Sequence, residues 1–139
     1  MFQLDPRLAN DTVPVASLDL CRVLLMNDAR YPWLILVPAR DGLSELHDLT
    51  ADDQLLLNDE IMRASRAMTK LFTPEKINVG ALGNIVRQLH IHVVARRTDD
   101  PAWPGPVWGH SPATPYAPEQ IADMVSRLAA VLAPRNAGV

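Results

Sequence analysis

The chain has 139 residues, of which 48% are hydrophobic and 21% are charged, and its formal net charge is −3. These values are typical of one globular domain, residues 1–139, and the sequence has no long basic run of the kind used by duplex nucleic-acid binders. The single cysteine, Cys21, excludes an intramolecular disulfide and a multi-cysteine zinc site. Because the sequence shows no signal-peptide pattern and no apolar run near about 20 residues, we expect a cytoplasmic protein without a membrane span.

The first 40 residues predict a short helix and a β-hairpin. Asp5-Pro6 has the chemistry of a helix start. Two apolar runs follow, at residues 19–27 and 33–37, and a polar turn at residues 27–30 joins them. Adjacent apolar runs with a short polar link predict two paired strands.

A long amphipathic helix is predicted next. Thr50 is positioned to cap its first turn, with the acidic Asp53 three residues later. Apolar residues then recur at spacings of three and four, the period of one helix face; they are Leu57, Ile61, Ala64, Met68 and Leu71. Pro74 disfavours continuation, so the helix should end near Phe72.

The remaining residues predict two strands, a proline-rich segment and a final helix. A short strand at residues 76–79 leads into the loop GALGN, residues 80–84, whose glycines permit backbone conformations that other residues resist. A strand follows at residues 87–97, RQLHIHVVARR. Proline is frequent in residues 99–118, which predicts an extended arm or an irregular loop, and Glu119–Leu132 predicts a helix. Together these elements predict an α+β fold.

The strand at residues 87–97 places three polar side chains on one face. Because successive strand residues point to opposite sides, Gln88, His90 and His92 share one face, and the apolar residues between them share the other. A structural role is one interpretation of this pair of histidines. Metal binding, acid–base catalysis and nucleophilic catalysis are the three chemical alternatives.

Metal binding and paired acid–base motifs both lack the residues that they need. The other two histidines, His47 and His110, have no ligand spacing, and Arg96 and Arg97 follow where a further ligand would be expected. Catalysis by two His-x-Ser or His-x-Thr motifs needs a second such motif, and neither His47 nor His110 has Ser or Thr two positions later. No metal site is therefore predicted.

Nucleophilic catalysis agrees best with the pattern. An unprotonated imidazole nitrogen can attack phosphorus near neutral pH, while a second group donates to the phosphoryl oxygens. Two histidines one strand-step apart can divide these tasks. The loop at residues 80–84 can add backbone N–H groups to the same oxygens.

With these elements assembled, the sequence resembles the histidine triad (HIT) family. The family signature is His-φ-His-φ-His-φ-φ, where φ is apolar, and it stands here as Gln88-Leu-His90-Ile-His92-Val-Val. The hairpin ending in LILVP, the long helix, the glycine loop and a trailing Trp-Pro-Gly are in the same order as in the family. The resemblance implies an antiparallel sheet of about five strands, a long central helix, a C-terminal helix and a homodimer.

The resemblance also implies roles for individual residues. His90 would be the nucleophile that forms a nucleotidyl-histidine, and His92 would contact phosphate and orient the ring of His90. Gln88 stands at the first triad position. Binding of the nucleotide would involve a ribose contact and several phosphate-side contacts; the implied residues are Asn27, Asn78, Gly83 and Asn84. This chemistry needs neither a metal nor a cofactor.

Two positions depart from the family pattern. Gln88 replaces the first triad histidine, and Trp33 stands where the family has a further histidine, although an aromatic residue there also suits a core. Glutamine cannot titrate, so proton transfer to the leaving group from these positions is lost or rerouted. Trp103 and Trp108 suit either a dimer contact or stacking on a base.

The predicted activity is that of a phosphoramidase-type nucleotide hydrolase or a nucleotidyl transferase acting at an α-phosphate. Its substrate would be a nucleotide conjugate such as an adenosine phosphoramidate or a dinucleoside polyphosphate. The alternative, which follows from the two departures, is a HIT-like nucleotide-binding protein with little or no turnover.

Overall fold

The computed structural model describes residues 1–132, and residues 133–139 of the predicted domain lie outside the described part. The elements in chain order are α1 (Pro6–Asp11), β1 (Thr12–Ser17), β2 (Cys21–Met26), β3 (Trp33–Pro38), a 3₁₀ helix (Leu46–Asp48), α2 (Ala51–Phe72), β4 (Lys76–Gly80), β5 (Ile91–Arg96) and α3 (Pro118–Val131). These elements confirm the predicted α+β fold, with its five strands, long central helix and C-terminal helix.

The five strands form one antiparallel sheet in the order β1-β2-β3-β5-β4. β2 and β3 form the predicted hairpin, and β5 lies between β3 and β4. His92 on β5 is opposite Ile35 on one side and Gly80 on the other. The sheet therefore holds His92 from both sides.

The helix boundaries follow from local chemistry. The Asp5 carboxylate accepts a hydrogen bond from the Arg7 backbone N–H at 2.8 Å, and the Thr50 hydroxyl accepts one from the Asp53 N–H at 3.2 Å. These contacts satisfy N–H groups that have no partner within a helix. α2 ends where Thr73 adopts a left-handed backbone with φ of 43°, just before Pro74. Among residues 1–132, no helix combines the length and the apolar character needed to cross a bilayer.

The two faces of the sheet bury different partners. One face packs against α2 and α3; on β5, Ile91 and Val93 belong to this core. The opposite face carries Trp33, Ile35 and Val94, and it is covered by the proline-rich segment. The face that carries His92 is therefore covered and not open to solvent.

One strand and the start of another differ from those that the sequence predicts. The sequence analysis predicts no strand at the residues of β1, whose central Pro14 is unfavourable inside a sheet; the structure accommodates this proline at the sheet edge, beside a register shift. The motif strand was predicted from residue 87 but begins at Ile91. The Leu89 N–H donates to the Leu43 carbonyl at 3.0 Å, so the preceding residues bond to a loop and not to a strand.

Buried Arg96 fastens the start of the proline-rich segment. Its side chain is 1% exposed and donates to both carboxylate oxygens of Asp100, at 2.8 and 3.0 Å. The guanidinium also donates to the Asn78 side-chain oxygen and to the Gly105 carbonyl, each at 2.8 Å. A buried cation is tolerated because its hydrogen bonds are satisfied by these partners.

The other end of the segment is fastened to the β2–β3 turn. The Tyr116 N–H donates to the Asn27 side-chain oxygen at 2.9 Å, and the Ala29 N–H donates to the Thr114 carbonyl at 2.6 Å. Arg30 pairs with Asp28 and also donates to the Ser111 carbonyl at 3.2 Å. Contacts at both ends therefore hold residues 99–117 as a loop against the sheet.

Candidate functional site

His90 is buried directly before β5, and its ring is held in one tautomer. Its side chain Nδ1 lies 2.7 Å from the backbone carbonyl oxygen of Gln88, and His90 is 6% exposed. Because a carbonyl can only accept, Nδ1 must carry the proton. A neutral His90 therefore has its lone pair on Nε2, the nitrogen that can act as a nucleophile.

His92 is held in the opposite tautomer. The indole Nε1–H of Trp33 donates to Nδ1 of His92 at 3.0 Å. Since an indole N–H can only donate, Nδ1 of His92 holds a lone pair, and the neutral ring carries its proton on Nε2. Burial and the neighbouring ring of His90 lower the pKa of His92 to about 3. His92 is thus a neutral hydrogen-bond donor beside His90, with 4.9 Å between the ring centroids.

We expect the ring of His92 to remain neutral from about pH 5 to about pH 8, although a free imidazole titrates near 6.5. Because the pKa of His92 is lowered on folding, the unfolded chain binds its proton first, and stability should decline as the pH falls below about 6.5. An NMR titration of the ring, assigned with His92→Gln, measures this pKa. A midpoint near 6.5 would contradict the lowered pKa and the burial that causes it.

Two tryptophan rings and the ring of His90 surround His92. The ring centroid of Trp33 lies 5.7 Å from that of His92, and the centroid of Trp108 lies 5.4 Å from it. Trp108 packs close to Gly80, where an added Cβ would approach its ring to 3.2 Å. Trp33 is therefore a buried core residue, as its sequence position suggests, and it also contacts His92.

The Gln88 side chain binds the N-terminal segment. Its Oε1 accepts a hydrogen bond from the Asp5 N–H, and its Nε2 donates to the Gln3 carbonyl, each at 2.8 Å. Its backbone carbonyl oxygen forms the hydrogen bond to the ring of His90. These contacts join residues more than 80 positions apart, so no local pattern in the sequence predicts them. A direct catalytic role for the Gln88 side chain stays a prediction.

The remaining predicted binding residues lie in different surroundings. Asn27 and Asn78 use their side-chain oxygens within the protein, Asn27 with Tyr116 and Asn78 with Arg96. Gly83 lies near His90 with φ of 80°, and Asn84 is exposed beside it. Their contacts with ribose or phosphate stay predictions. Among the residues that the structure describes, no three His, Cys, Asp or Glu side chains are grouped to hold a metal ion.

Two clefts flank the histidines. The loop cleft has a volume of about 200 Å³ and is lined by residues 44–47, 81–83 and 88–90, including His90. The turn cleft has a volume of about 400 Å³ and lies between the end of α1, the β2–β3 turn and the proline-rich segment; Asn27, Arg30 and Trp33 line it. His92 contacts both Trp33 and His90, so the imidazole pair lies between the two clefts.

His47 also belongs to this region, although its position in the sequence does not indicate it. The sequence gives His47 no ligand spacing to another histidine. The structure places it in the loop cleft together with His90. No pattern in the sequence reveals this, because the path of the loop after β3 depends on its contact with residue 89.

The comparisons with known proteins agree with this fold. The family model described as HIT domain matches residues 7–99. A histidine triad (HIT) protein from Sinorhizobium meliloti 1021 has 50% identity and a TM-score of 0.90, covering 91% of this chain and 94% of that one. A histidine triad protein from Marinobacter aquaeolei VT8 has 48% identity and a TM-score of 0.93, covering 95% and 96%.

A more distant structure shares the fold alone. It is the diadenosine triphosphate hydrolase from Plasmodium falciparum, with 15% identity and a TM-score of 0.60, covering 94% of this chain and 79% of that one. No curated protein matches the chain.

Proposed function

The chain belongs to the histidine triad (HIT) family, and from this we propose that it is a nucleotide-binding hydrolase or nucleotidyl transferase acting at an α-phosphate. The observation that carries the proposal is the pair of opposite tautomers. Nε2 of His90 holds a lone pair because Nδ1 donates to the Gln88 carbonyl, whereas Nε2 of His92 holds a proton because Nδ1 accepts from Trp33. One ring can attack phosphorus while its neighbour donates to the phosphoryl oxygens.

In the first step, Nε2 of His90 attacks the α-phosphorus and the bond to the leaving group breaks. The ring then carries a positive charge, which the Gln88 carbonyl stabilises through Nδ1–H. Nε2–H of His92 and backbone N–H groups of residues 80–84 donate to the phosphoryl oxygens. In the second step, water displaces His90 and releases the nucleotide; an acceptor other than water makes the reaction a transfer.

The two clefts divide the substrate. We assign the nucleoside to the turn cleft, where Asn27 contacts ribose, because this cleft is the larger one and has Trp33 as a wall. We assign the leaving group to the loop cleft, which Gly83 lines. Asn84, next to Gly83, and Asn78, whose side-chain oxygen accepts from Arg96, are proposed as phosphate contacts. Suitable substrates are an adenosine phosphoramidate or a dinucleoside polyphosphate; the name of the Plasmodium falciparum relative supports the second class.

We also propose that residues 1–139 form one domain and that two copies form a homodimer. β4 is an edge strand in the described sheet, so its outer hydrogen-bonding groups face away from β5. Exposed apolar side chains lie on it and on the loop that follows it; they are Val79, Leu82 and Ile85. Burial of such groups by a second copy would remove both the open edge and the apolar surface.

A second candidate is a nucleotide-binding protein with little turnover. The observation that favours it is the Gln88 side chain, which is bonded to Gln3 and Asp5 and cannot titrate. Binding of a nucleotide between the clefts needs no proton transfer, so this candidate retains the same site.

One experiment separates the two candidates. The protein is mixed with adenosine phosphoramidate, with a dinucleoside polyphosphate and with AMP, and AMP release is followed by chromatography. We expect AMP to be released and a nucleotidyl adduct on His90 to be detected by mass spectrometry after acid-free quenching. AMP binding without an adduct or turnover would support the binding protein and contradict the enzyme.

A further inference from the structure

His47 and His90 line the same cleft, and we propose that His47 is the catalytic residue that protonates the leaving group. The inference rests on the proposed function, because it concerns the group that leaves as His90 attacks. It defines a substrate class, namely nucleotide conjugates with basic leaving groups such as amines and alcohols. These groups depart slowly as anions, so they need a proton at the moment of bond breaking.

The triad positions do not supply this proton. The Gln88 side chain cannot titrate, and it is bonded to the N-terminal segment. His92 is neutral, and its Nδ1 is occupied by the Trp33 indole. Of the imidazoles in the described residues, His47 is the one that shares the loop cleft with His90.

Local contacts hold the backbone of the segment that carries His47. The Asp48 carboxylate accepts hydrogen bonds from the Glu45 and Ser44 backbone N–H groups, at 2.9 and 3.1 Å. The Leu43 carbonyl accepts from the Leu89 N–H at 3.0 Å, which joins this segment to the residue before His90. The loop that carries His47 is thereby fastened to the segment that carries the nucleophile.

The His47 side chain is open to water as well as to the cleft. It is 85% exposed, and its Nε2 lies 4.0 Å from the Asp48 carboxylate, which can pair with the ring when it is protonated. A proton donor must be recharged after every turnover, and contact with solvent permits this. The other charged groups around the ring are Glu45, which lines the same cleft, and Asp48.

The proton balance closes over the two steps. In the first, the P–N(His90) bond forms, the bond from phosphorus to the leaving group breaks, and the leaving atom takes a proton from the His47 imidazolium. In the second, the neutral His47 takes a proton from the attacking water, the new P–O bond forms, and His90 leaves as the free ring. His47 ends as the imidazolium with which it began.

The test compares two substrates that differ in the leaving group alone: the p-nitrophenyl ester of AMP and an alkyl phosphoramidate of AMP. For His47→Gln we expect kcat/KM to fall by about 10²- to 10⁴-fold on the phosphoramidate, and by less than about threefold on the nitrophenyl ester. His110→Gln, which removes an exposed imidazole outside the loop cleft, should change neither rate by more than about twofold. AMP affinity should be equal in all variants.

Three outcomes would overturn the inference. An equal loss on both substrates would mean that His47 acts on structure or binding, and no loss on either would mean that the proton has another source. A selective loss in Glu45→Gln in place of His47→Gln would assign the role to the carboxylate. By contrast, a wild-type protein that releases AMP from neither substrate would overturn the proposed function itself.

Discussion

Replacement of His90 by alanine is expected to reduce turnover to less than about 10⁻³ of the wild-type rate, because no covalent intermediate can form. Nucleotide affinity should stay within about tenfold, about 1.4 kcal/mol, since the clefts and the remaining donors are unchanged. AMP release measured by chromatography gives the rate, and calorimetric titration with AMP gives the affinity. The adduct should be absent from the mass spectrum.

His110→Ala is the matched control, because it also removes an imidazole. His110 is exposed and lies in the proline-rich segment, so His110→Ala should keep both rate and affinity. If His90→Ala were fully active, the nucleophile would have to be another group. A loss of affinity that accounts for the whole loss of rate would make His90 a binding residue only.

Replacement of Asp100 by alanine is expected to lower the free energy of unfolding by about 3–5 kcal/mol, because the Arg96 guanidinium is left buried without its anion. Chemical denaturation followed by circular dichroism measures this change. The exposed pair of Arg127 with Asp123, 3.6 Å apart, provides the control. Asp123→Ala should lower the free energy of unfolding by less than about 1 kcal/mol. An equal decrease in the two variants would contradict the conclusion that burial makes the Arg96–Asp100 pair important.

The same pair predicts how stability depends on pH. Burial alone would raise the pKa of Asp100, but its hydrogen bonds and ion pair with Arg96 outweigh burial and lower it. The contribution of this carboxylate is therefore complete above the unfolded value of about 3.9 and is lost as the pH falls through the folded value. Asp100→Ala should thus flatten the acid side of the stability profile.

Elements whose signals are local were predicted well from the sequence. Thr50 and Pro74 mark the two ends of the long helix, because a capping side chain and a proline ring each act on neighbouring residues. The hairpin around residues 27–30 follows from two apolar runs with a polar link. The family was likewise predicted from the short motif at residues 88–94 and the order of elements around it, and the comparisons confirm it.

The contacts that define the candidate site were harder to predict from the sequence, because they join distant parts of the chain. The bond from Trp33 to His92 spans 59 residues, and no local rule pairs an indole with one particular imidazole. β1 was missed because Pro14 opposes a strand, unless that strand lies at an edge. The start of β5 was misplaced for a related reason: Leu89 finds its partner in a loop.

His90 lies directly before β5, next to a rigid strand, whereas one wall of the loop cleft is formed by a loop. β5 is hydrogen-bonded on both sides, so its amides should exchange with solvent only through the rarest openings of the domain. The loop at residues 81–83 lies outside the sheet and can open at a far lower free energy. This wall of the loop cleft can therefore rearrange around different leaving groups on a short timescale, while the histidine pair keeps its alignment.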